Sequence, residues 1–346
     1  MTAQPIHHQI LISNVAFQRF ADAIIRVDPA ARFLRPDPDA GLLDNHGAVA
    51  PPTAAPTIAW LTPDMLYDGS RSSFFGIIGR SHSLEWVQSS FAGLDLPIYR
   101  DLLERGCRVT SSHENGISIA EYVIGAVLRL YQQPDRWSNA QHTYSWQHHE
   151  FPELHATNWL IVGFGAIGQA TAKRARGFGV AVTAVRRAPR GDEGVERVLR
   201  QDELHDALPQ ADVVVLALPG TPETDNLVND AFLTAMKDTA ILVNVARGSL
   251  IDDEALLRVL DRRENLRCVL DVFREEPLPG DSPFWAHPQI VVTPHASSGG
   301  LGRHARNAAL FTRNFRAFMD RRGLENEVSL ADLPVRRADS VPAQFQ

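Results

Sequence analysis

The chain has 346 residues, enough for about two domains, and its hydrophobic and charged fractions, 44% and 22%, are those of an ordinary globular protein. A net charge of −7 argues against a general nucleic-acid surface, and two cysteines, Cys107 and Cys268, supply neither a disulfide framework nor metal-ligand spacing. Residues 1–20 lack the basic region and apolar core of a secretory signal, and no run approaches the length of a membrane helix, so a soluble cytoplasmic protein with no membrane partner is expected.

Residues 9–13 read as a short strand. Residues 17–27 read as an amphipathic helix, with Phe17, Phe20, Ala21 and Ile24 on one face. Residues 28–56, rich in proline and alanine, are expected to be irregular in large part. Residues 57–61, 84–88 and 108–111 read as further strands, with a loop at 89–95, and together these units predict a small α/β domain. Residues 117–131 are apolar almost all round, the pattern of a buried helix. Residues 132–155 are polar, aromatic and histidine-rich, and read as a connecting stretch over the surface.

From residue 158 the pattern becomes regular. Apolar runs recur at 159–162, 180–185, 213–218, 241–245, 268–272 and 290–292, and near-continuous Val/Ile/Leu runs are what a parallel sheet covered on both faces requires. The first run opens into Gly163-x-Gly165-x-x-Gly168 and a helical pattern. In such a turn Gly163 permits the bend, Gly165 lets the backbone approach a pyrophosphate, and Gly168 lets the helix pack close to the strand. The helix start at Ala166 and Ile167 then offers free N–H groups to the phosphates. The fold class predicted is α/β, with a doubly wound parallel-sheet dinucleotide-binding domain over 117–299. The smaller α/β domain over 1–116 is completed by a last helix within 300–330, with Ala308, Phe311, Phe315 and Phe318 on one stripe, and residues 331–346 read as a loose tail.

The second strand of the larger domain ends in Arg186-Arg187, with Arg190 close behind, where an acidic residue would bind the adenosine ribose hydroxyls. Arginine forks suit a 2′-phosphate, so NADP(H) is expected over NAD(H), with NAD(H) still open if the arginines are a solvated strand end.

Three stretches follow the last strands, where such sheets place ligands: Val243-Asn244-Val245-Ala246-Arg247-Gly248, Leu270-Asp271-Val272-Phe273-Arg274-Glu275-Glu276-Pro277 and Thr293-Pro294-His295. In this order, after the glycine turn, they resemble the D-isomer-specific 2-hydroxyacid dehydrogenases, from about residue 84 to 326. The resemblance implies reduction of a 2-keto acid, with a flavodoxin-like smaller domain for substrate. It implies Arg247 as the substrate carboxylate and carbonyl anchor, His295 as the general acid/base, and Glu276 as the carboxylate partner that favours imidazolium. It places Leu218, Pro219, Ala246 and Asp271 beside the cofactor, with Asp271 on the nicotinamide carboxamide, and Ala92 and Gly93 in a loop whose N–H groups meet the substrate carboxylate. It also implies a homodimer through the cofactor domain, with residues 132–146 a candidate contact. Residues 277–288 are similar to the glyoxylate/hydroxypyruvate reductase branch, which implies a small 2-keto acid and agrees with NADPH. No carboxylate or cysteine pattern completes a metal site around His142 and His149, so no metal is expected. Corepressors on the same fold keep a nucleotide-sensing alternative open.

Overall fold

The computed structural model describes residues 8–333, except 38, 40, 67, 190, 192 and 193. The readings placed on Arg190 and on residues 334–346 lie outside the described residues. The chain divides into two compact units. One comprises residues 8–115 and 301–333, and the other 116–300.

The first unit opens with β1 (Gln9–Leu11) and α1 (Asn14–Ile25), whose N-cap Ser13 accepts a hydrogen bond from the Ala16 amide. β2 (Arg32–Asp37) and β3 (Gly41–Leu43) follow. Next come β4 (Ile58–Leu61), α2 (Arg71–Arg80), β5 (Trp86–Ser89), α3 (Pro97–Glu104) and β6 (Arg108–Thr110). The proline- and alanine-rich stretch therefore holds two strands that composition hid. Phe33 and Leu34 are buried there although Arg35 and Pro36 sit in the same strand.

The second unit begins with α4 (Gly116–Gln132) and α5 (Pro134–His142). α4 is not apolar all round: Ile117, Glu121, Gly125 and Arg129 form an exposed stripe at helical spacing, opposite Ile119, Val123 and Val127 in the core. α5, started by Pro134 at its first turn, occupies part of the expected connecting stretch. The dinucleotide-type sheet then forms from β7 (Asn158–Val162), α6 (Ala166–Gly177), β8 (Ala181–Val185) and β9 (Arg197–Leu199). It continues through α7 (Leu204–Ala207), β10 (Val213–Leu216), α8 (Asp230–Ala235), β11 (Ile241–Asn244), α9 (Asp253–Leu260), β12 (Arg267–Leu270) and β13 (Ile290–Val292). The chain then returns to the first unit with α10 (Gly302–Met319) and β14 (Glu327–Val328).

The second unit's sheet is seven-stranded and parallel throughout, in the order β13-β12-β11-β10-β7-β8-β9. The six apolar runs read from the sequence are joined by β9, an edge strand too short and polar to stand out. Their near-continuous Val/Ile/Leu character follows from burial on both faces, with Val213, Val214, Val215 and Leu216 all fully buried. Strand order reverses between β7 and β10, and a ligand crevice is expected outside the carboxyl ends of the strands there. In the first unit the order is β14-β6-β5-β4-β1-β2-β3. Its five parallel strands run β2-β1-β4-β5-β6, the flavodoxin-like order.

α10 closes one face of that sheet. Phe311 stacks on Trp60 with ring centroids 4.6 Å apart and on Trp86 at 5.1 Å, and the two indole N–H groups donate to Ser90 and Thr110. At the far end of the second unit, a Cβ on Gly300 would stand 2.7 Å from Ser118 Oγ, so its last residue lies against its first helix. Cys107 and Cys268 are buried free thiols, each pushed up to about 12 by burial.

Candidate active site

The site grows from six neighbouring strand ends, those of β8, β7, β10, β11, β12 and β13. β7 ends in Gly163, whose φ of +97° lies in the left-handed region that favours glycine. A Cβ there would also stand 2.5 Å from the Ala217 carbonyl carbon, so the turn packs directly on the end of β10. Gly168, in the first turn of α6, would bring a Cβ within 2.2 Å of the Gly163 carbonyl oxygen. Both positions exclude any side chain for reasons internal to the fold. Gly165, the N-cap of α6, is different: a Cβ on it would meet no described atom within 4 Å. A glycine with open space in front of it, beside the free N–H groups of Ala166 and Ile167, fits a nicotinamide dinucleotide whose pyrophosphate comes close to the backbone.

At the end of β8, Arg186 is half-buried and its amide donates to the Leu199 carbonyl of β9, while Arg187 is exposed. Glu223, whose carboxyl is lowered chiefly by a hydrogen bond with Thr221, also feels the Arg187 charge. The loop after β10 therefore lies within electrostatic reach of the β8 end. Within it the Thr224 hydroxyl donates to the Pro219 carbonyl, and Leu218 packs against the sheet core.

β11 delivers Arg247. Asn244, fully buried at the strand's last position, accepts from the Ala246 amide at 3.0 Å and donates to the Arg247 carbonyl at 2.9 Å. This one side chain folds the Val-Asn-x-Ala-Arg-Gly segment into its turn. The guanidinium Nη1 donates to the Ala246 carbonyl at 2.7 Å. Gly220 leaves room for the arginine stem, because a Cβ there would stand 3.1 Å from Arg247 Cγ. Gly248 is tighter still: a Cβ would fall 1.9 Å from the Phe273 carbonyl carbon. Its bare backbone thus seats the Arg247 turn against the segment after β12. The Arg274 guanidinium staples the same two segments, donating to the carbonyls of Ser249 at 3.0 Å and Ile251 at 2.7 Å, and to the Asn226 side chain.

In the segment after β12, Glu276 Oε1 accepts from the Phe273 amide at 2.9 Å, which fixes the carboxylate, and Oε2 faces His295 Nδ1 at 2.8 Å. Glu275 is exposed beside it. A carboxylate accepts, so Nδ1 carries the proton in this contact and Nε2 is left for chemistry. His295 is 51% exposed and Glu276 21%, so the imidazole is open to a substrate while its partner is sheltered.

His295 itself sits at φ +50°, a left-handed conformation unusual for a side chain of its kind. Asp271, 0% exposed at the end of β12, holds it there. The Asp271 carbonyl accepts the His295 amide at 2.8 Å. Its carboxylate accepts the Ala296 amide at 2.8 Å, the Ser297 amide at 3.0 Å and the Thr293 hydroxyl at 2.6 Å. Each of these bonds stays within the chain, so Asp271 clamps the histidine loop, a task distinct from the carboxamide contact the resemblance implies.

Ala92 and Gly93 belong to the first unit, in the loop after β5. Ser90 anchors that loop: its hydroxyl accepts from Trp60 at 3.1 Å and its carbonyl accepts from the Asn115 side chain at 3.2 Å. Ala92 is exposed.

The strand-end residues stand out in the sequence, whereas Asn244, Gly248 and Arg274 carry no role there. All three lie inside the quoted stretches, yet their task is to pack one loop on another, which spacing along one strand does not reveal. Among the described residues no cluster of His, Cys, Asp and Glu suits a metal ion, and no helix is long and apolar enough to cross a membrane.

Six parallel strand ends, a glycine turn open at Gly165 and a carboxylate–histidine pair beside an arginine turn are features of one class of protein. A sequence model of the D-isomer specific 2-hydroxyacid dehydrogenase NAD binding domain matches residues 124–297, and the chain belongs to that family. It is similar to glyoxylate/hydroxypyruvate reductase A of Yersinia enterocolitica, at 31% identity over 199 residues, covering 57% of this chain and 63% of that relative. The match thus spans less than two thirds of the relative's length. Among solved structures, a D-isomer specific 2-hydroxyacid dehydrogenase family protein from Aeromonas salmonicida shares 31% identity and a TM-score of 0.75, over 93% of this chain and 99% of that one. A second, from Xanthobacter autotrophicus Py2 in complex with NADPH and MES, shares 26% identity and a TM-score of 0.72, over 93% and 98% of the two chains.

Proposed function

We propose that the chain is a reductase that uses NADPH to convert a small 2-keto acid, of the glyoxylate or hydroxypyruvate kind, to the D-2-hydroxy acid. The observation that carries the proposal is the His295–Glu276 contact at 2.8 Å on a loop clamped by Asp271. When bound, the nicotinamide supplies the hydride to the substrate C2. Arg247 offers a planar fork to the substrate carboxylate and polarises the adjacent carbonyl. His295 gives its Nε2 proton to the carbonyl oxygen as negative charge develops there. Glu276, fixed by the Phe273 amide, holds the imidazole by Nδ1 and stabilises its charged form before transfer. In the oxidation direction the same histidine takes the proton back.

The first unit is the substrate domain in this reading, with the N–H groups of Ala92 and Gly93 meeting the substrate carboxylate. Gly163, Gly165, Ala166, Ile167 and Gly168 take the pyrophosphate. Leu218, Pro219, Ala246 and Asp271 line the nicotinamide side. Arg186 and Arg187 take the 2′-phosphate, supported by the cationic end of β8 and by NADPH in the Xanthobacter neighbour. The chain is further proposed to form a homodimer through the cofactor unit, where Tyr144 and Trp146 are 99% and 91% exposed. Sedimentation as a monomer would remove the dimer alone.

The reaction is tested by following NADPH and NADH oxidation with glyoxylate, hydroxypyruvate, pyruvate and phenylpyruvate. Fast NADPH-linked reduction of one of them is the expected result. Tight nucleotide binding with turnover of none would move the reading to a nucleotide-sensing protein.

A further inference from the structure

The Asp271 clamp does not end at Asp271. Its Oδ1 accepts the Thr293 hydroxyl at 2.6 Å, and the same Thr293 oxygen lies 2.6 Å from the Tyr122 hydroxyl on α4. The chemistry fixes the direction of both bonds. An ionised carboxylate only accepts, so Thr293 spends its one proton on Asp271. The Thr293 oxygen must then accept from Tyr122. The order is Tyr122 O–H to Thr293 O–H to Asp271. The outermost donor keeps its proton across the working range: burial pushes the Tyr122 phenol up to about 12, partly offset by its bond to Thr293, with the nearby Asp271 charge adding to the rise.

Downstream, three consecutive amides hang on Asp271, those of His295, Ala296 and Ser297. The His295 amide also reaches the Thr293 carbonyl at 3.0 Å, so Thr293 is tied to the histidine by its backbone and to the clamp by its side chain. A left-handed conformation at a non-glycine residue persists only when its surroundings over-determine it. Here the surroundings are a buried carboxylate whose orientation is set in turn by a hydroxyl pair reaching out to a helix. Tyr122 itself packs against the core formed by α4, α6 and the sheet.

We propose that Tyr122 and Thr293 are positioning residues for the proposed general acid: they lock the Asp271 carboxylate, and through it the backbone of 295–297, so that His295 presents Nε2 in one orientation. This rests on the reading of His295 as the proton donor. It assigns to Tyr122 a task that no strand-end motif announces, because the residue lies far upstream on a helix.

The experiment compares Thr293→Val, Thr293→Ser, Tyr122→Phe and the Tyr122→Phe/Thr293→Val pair in the full chain. Two readouts are taken: steady-state reduction of the best 2-keto acid with NADPH, and amide hydrogen exchange over 293–299. Thr293→Val removes both bonds at nearly constant volume. It is expected to lower kcat by about tenfold, on the scale of a small misplacement of a catalytic group, with KM for NADPH within about twofold of the parent. Exchange at 295–297 should quicken by about tenfold as the loop opens more often. Tyr122→Phe should show the same pattern more weakly, Thr293→Ser should restore it, and the pair should match Thr293→Val alone, since Tyr122 acts through Thr293.

Unchanged exchange at 295–297 in Thr293→Val, or additive losses in the pair, overturns the proposal. Were Thr293→Val unable to fold, Tyr122→Phe decides by the same two readouts: parent-like exchange overturns the proposal, and faster exchange with lower kcat supports it. Were no keto acid reduced by the parent chain, the proposed reaction would fail on its own, while exchange at 295–297 would still decide whether the clamp exists.

Discussion

Substituting alanine at Gly248 tests whether the Arg247 turn must sit against the Glu276 segment. The new Cβ would lie 1.9 Å from the Phe273 carbonyl carbon and 2.2 Å from the Arg274 nitrogen, and both are backbone atoms that no rotamer change can remove. Ordinary contact begins near 3.4 Å, so the two segments must part by roughly 1.5 Å. Misplacing a reacting group by about 1 Å costs on the order of a hundredfold in rate, or about 2.7 kcal/mol of transition-state stabilisation. Overpacking adds about 1–3 kcal/mol of lost stability. The glycine turn at 163–168 is left untouched, so nucleotide affinity should stay within about threefold of the parent, since distant sites act independently. The assay is kcat/KM for keto-acid reduction beside the dissociation constant for NADPH from tryptophan fluorescence. Gly280→Ala, whose Cβ would meet no described atom within 4 Å, is the control that should change neither. A Gly248→Ala chain that keeps kcat/KM within threefold of the parent would refute the reasoning, because the close seating of the two segments would then be irrelevant to the reaction.

Three further outcomes are expected. Glu276→Gln keeps the shape of the His295 partner but removes its charge, so kcat should fall by about 10²–10³-fold; a parent-like kcat would remove Glu276 from the pair. Arg187→Ala should weaken NADPH by about tenfold and leave NADH within about twofold, the loss of one charged donor to a phosphate, whereas equal loss for both would place the 2′-phosphate elsewhere. In the first unit, Arg108 grips Glu327 by two bonds of 2.7 and 2.6 Å and joins β6 to β14, and this holds the Glu327 carboxyl below its ordinary 4.5. A depressed folded value means that the pair's stabilisation is full above the ordinary value and is lost as pH falls through the folded one. Partial exposure screens it to about 0.5–1 kcal/mol, so Glu327→Gln should lower Tm by about 1–2 °C at pH 7 and by progressively less as pH falls below 4.5; a deficit that stays the same as the pH is lowered would assign the effect to packing.

Legibility in the sequence followed locality. The glycine turn, the buried parallel strands and the arginine, glutamate and histidine of the site all announce themselves within a few residues of a strand end, where an apolar run meets a polar segment. β9 was missed because Arg197–Leu199 buries only its last residue fully, and a three-residue edge strand borrows its stability from β8. β2 was hidden by Arg35 and Pro36, which are buried all the same: the Arg35 guanidinium donates to the Asn14 side chain and the Asp44 carbonyl and lies over the Phe17 ring. Asn244, Gly248 and Arg274 stand in plain view, yet their meaning lies in what approaches them from another loop. Tyr122 was hidden more thoroughly, since α4 reads as core and nothing in its periodicity marks one phenol as a donor to a loop 171 positions later.

The contact of Gly300 with Ser118 bears on the order in which the chain acquires its structure as it is synthesised. The first unit is interrupted: its sheet is made early, but the helix that stacks on Trp60 and Trp86, and the strand that pairs with β6, leave the ribosome only after the second unit. Searching for them across an unfolded insert of roughly 185 residues would cost about 5 kcal/mol in chain entropy. The insert is contiguous and folds as a unit of its own. Once it has done so its two ends are adjacent, and residues 115 and 301, which flank it in the chain, are brought close together. The cofactor unit is then, besides its chemistry, the splint on which the older half of the molecule is finished.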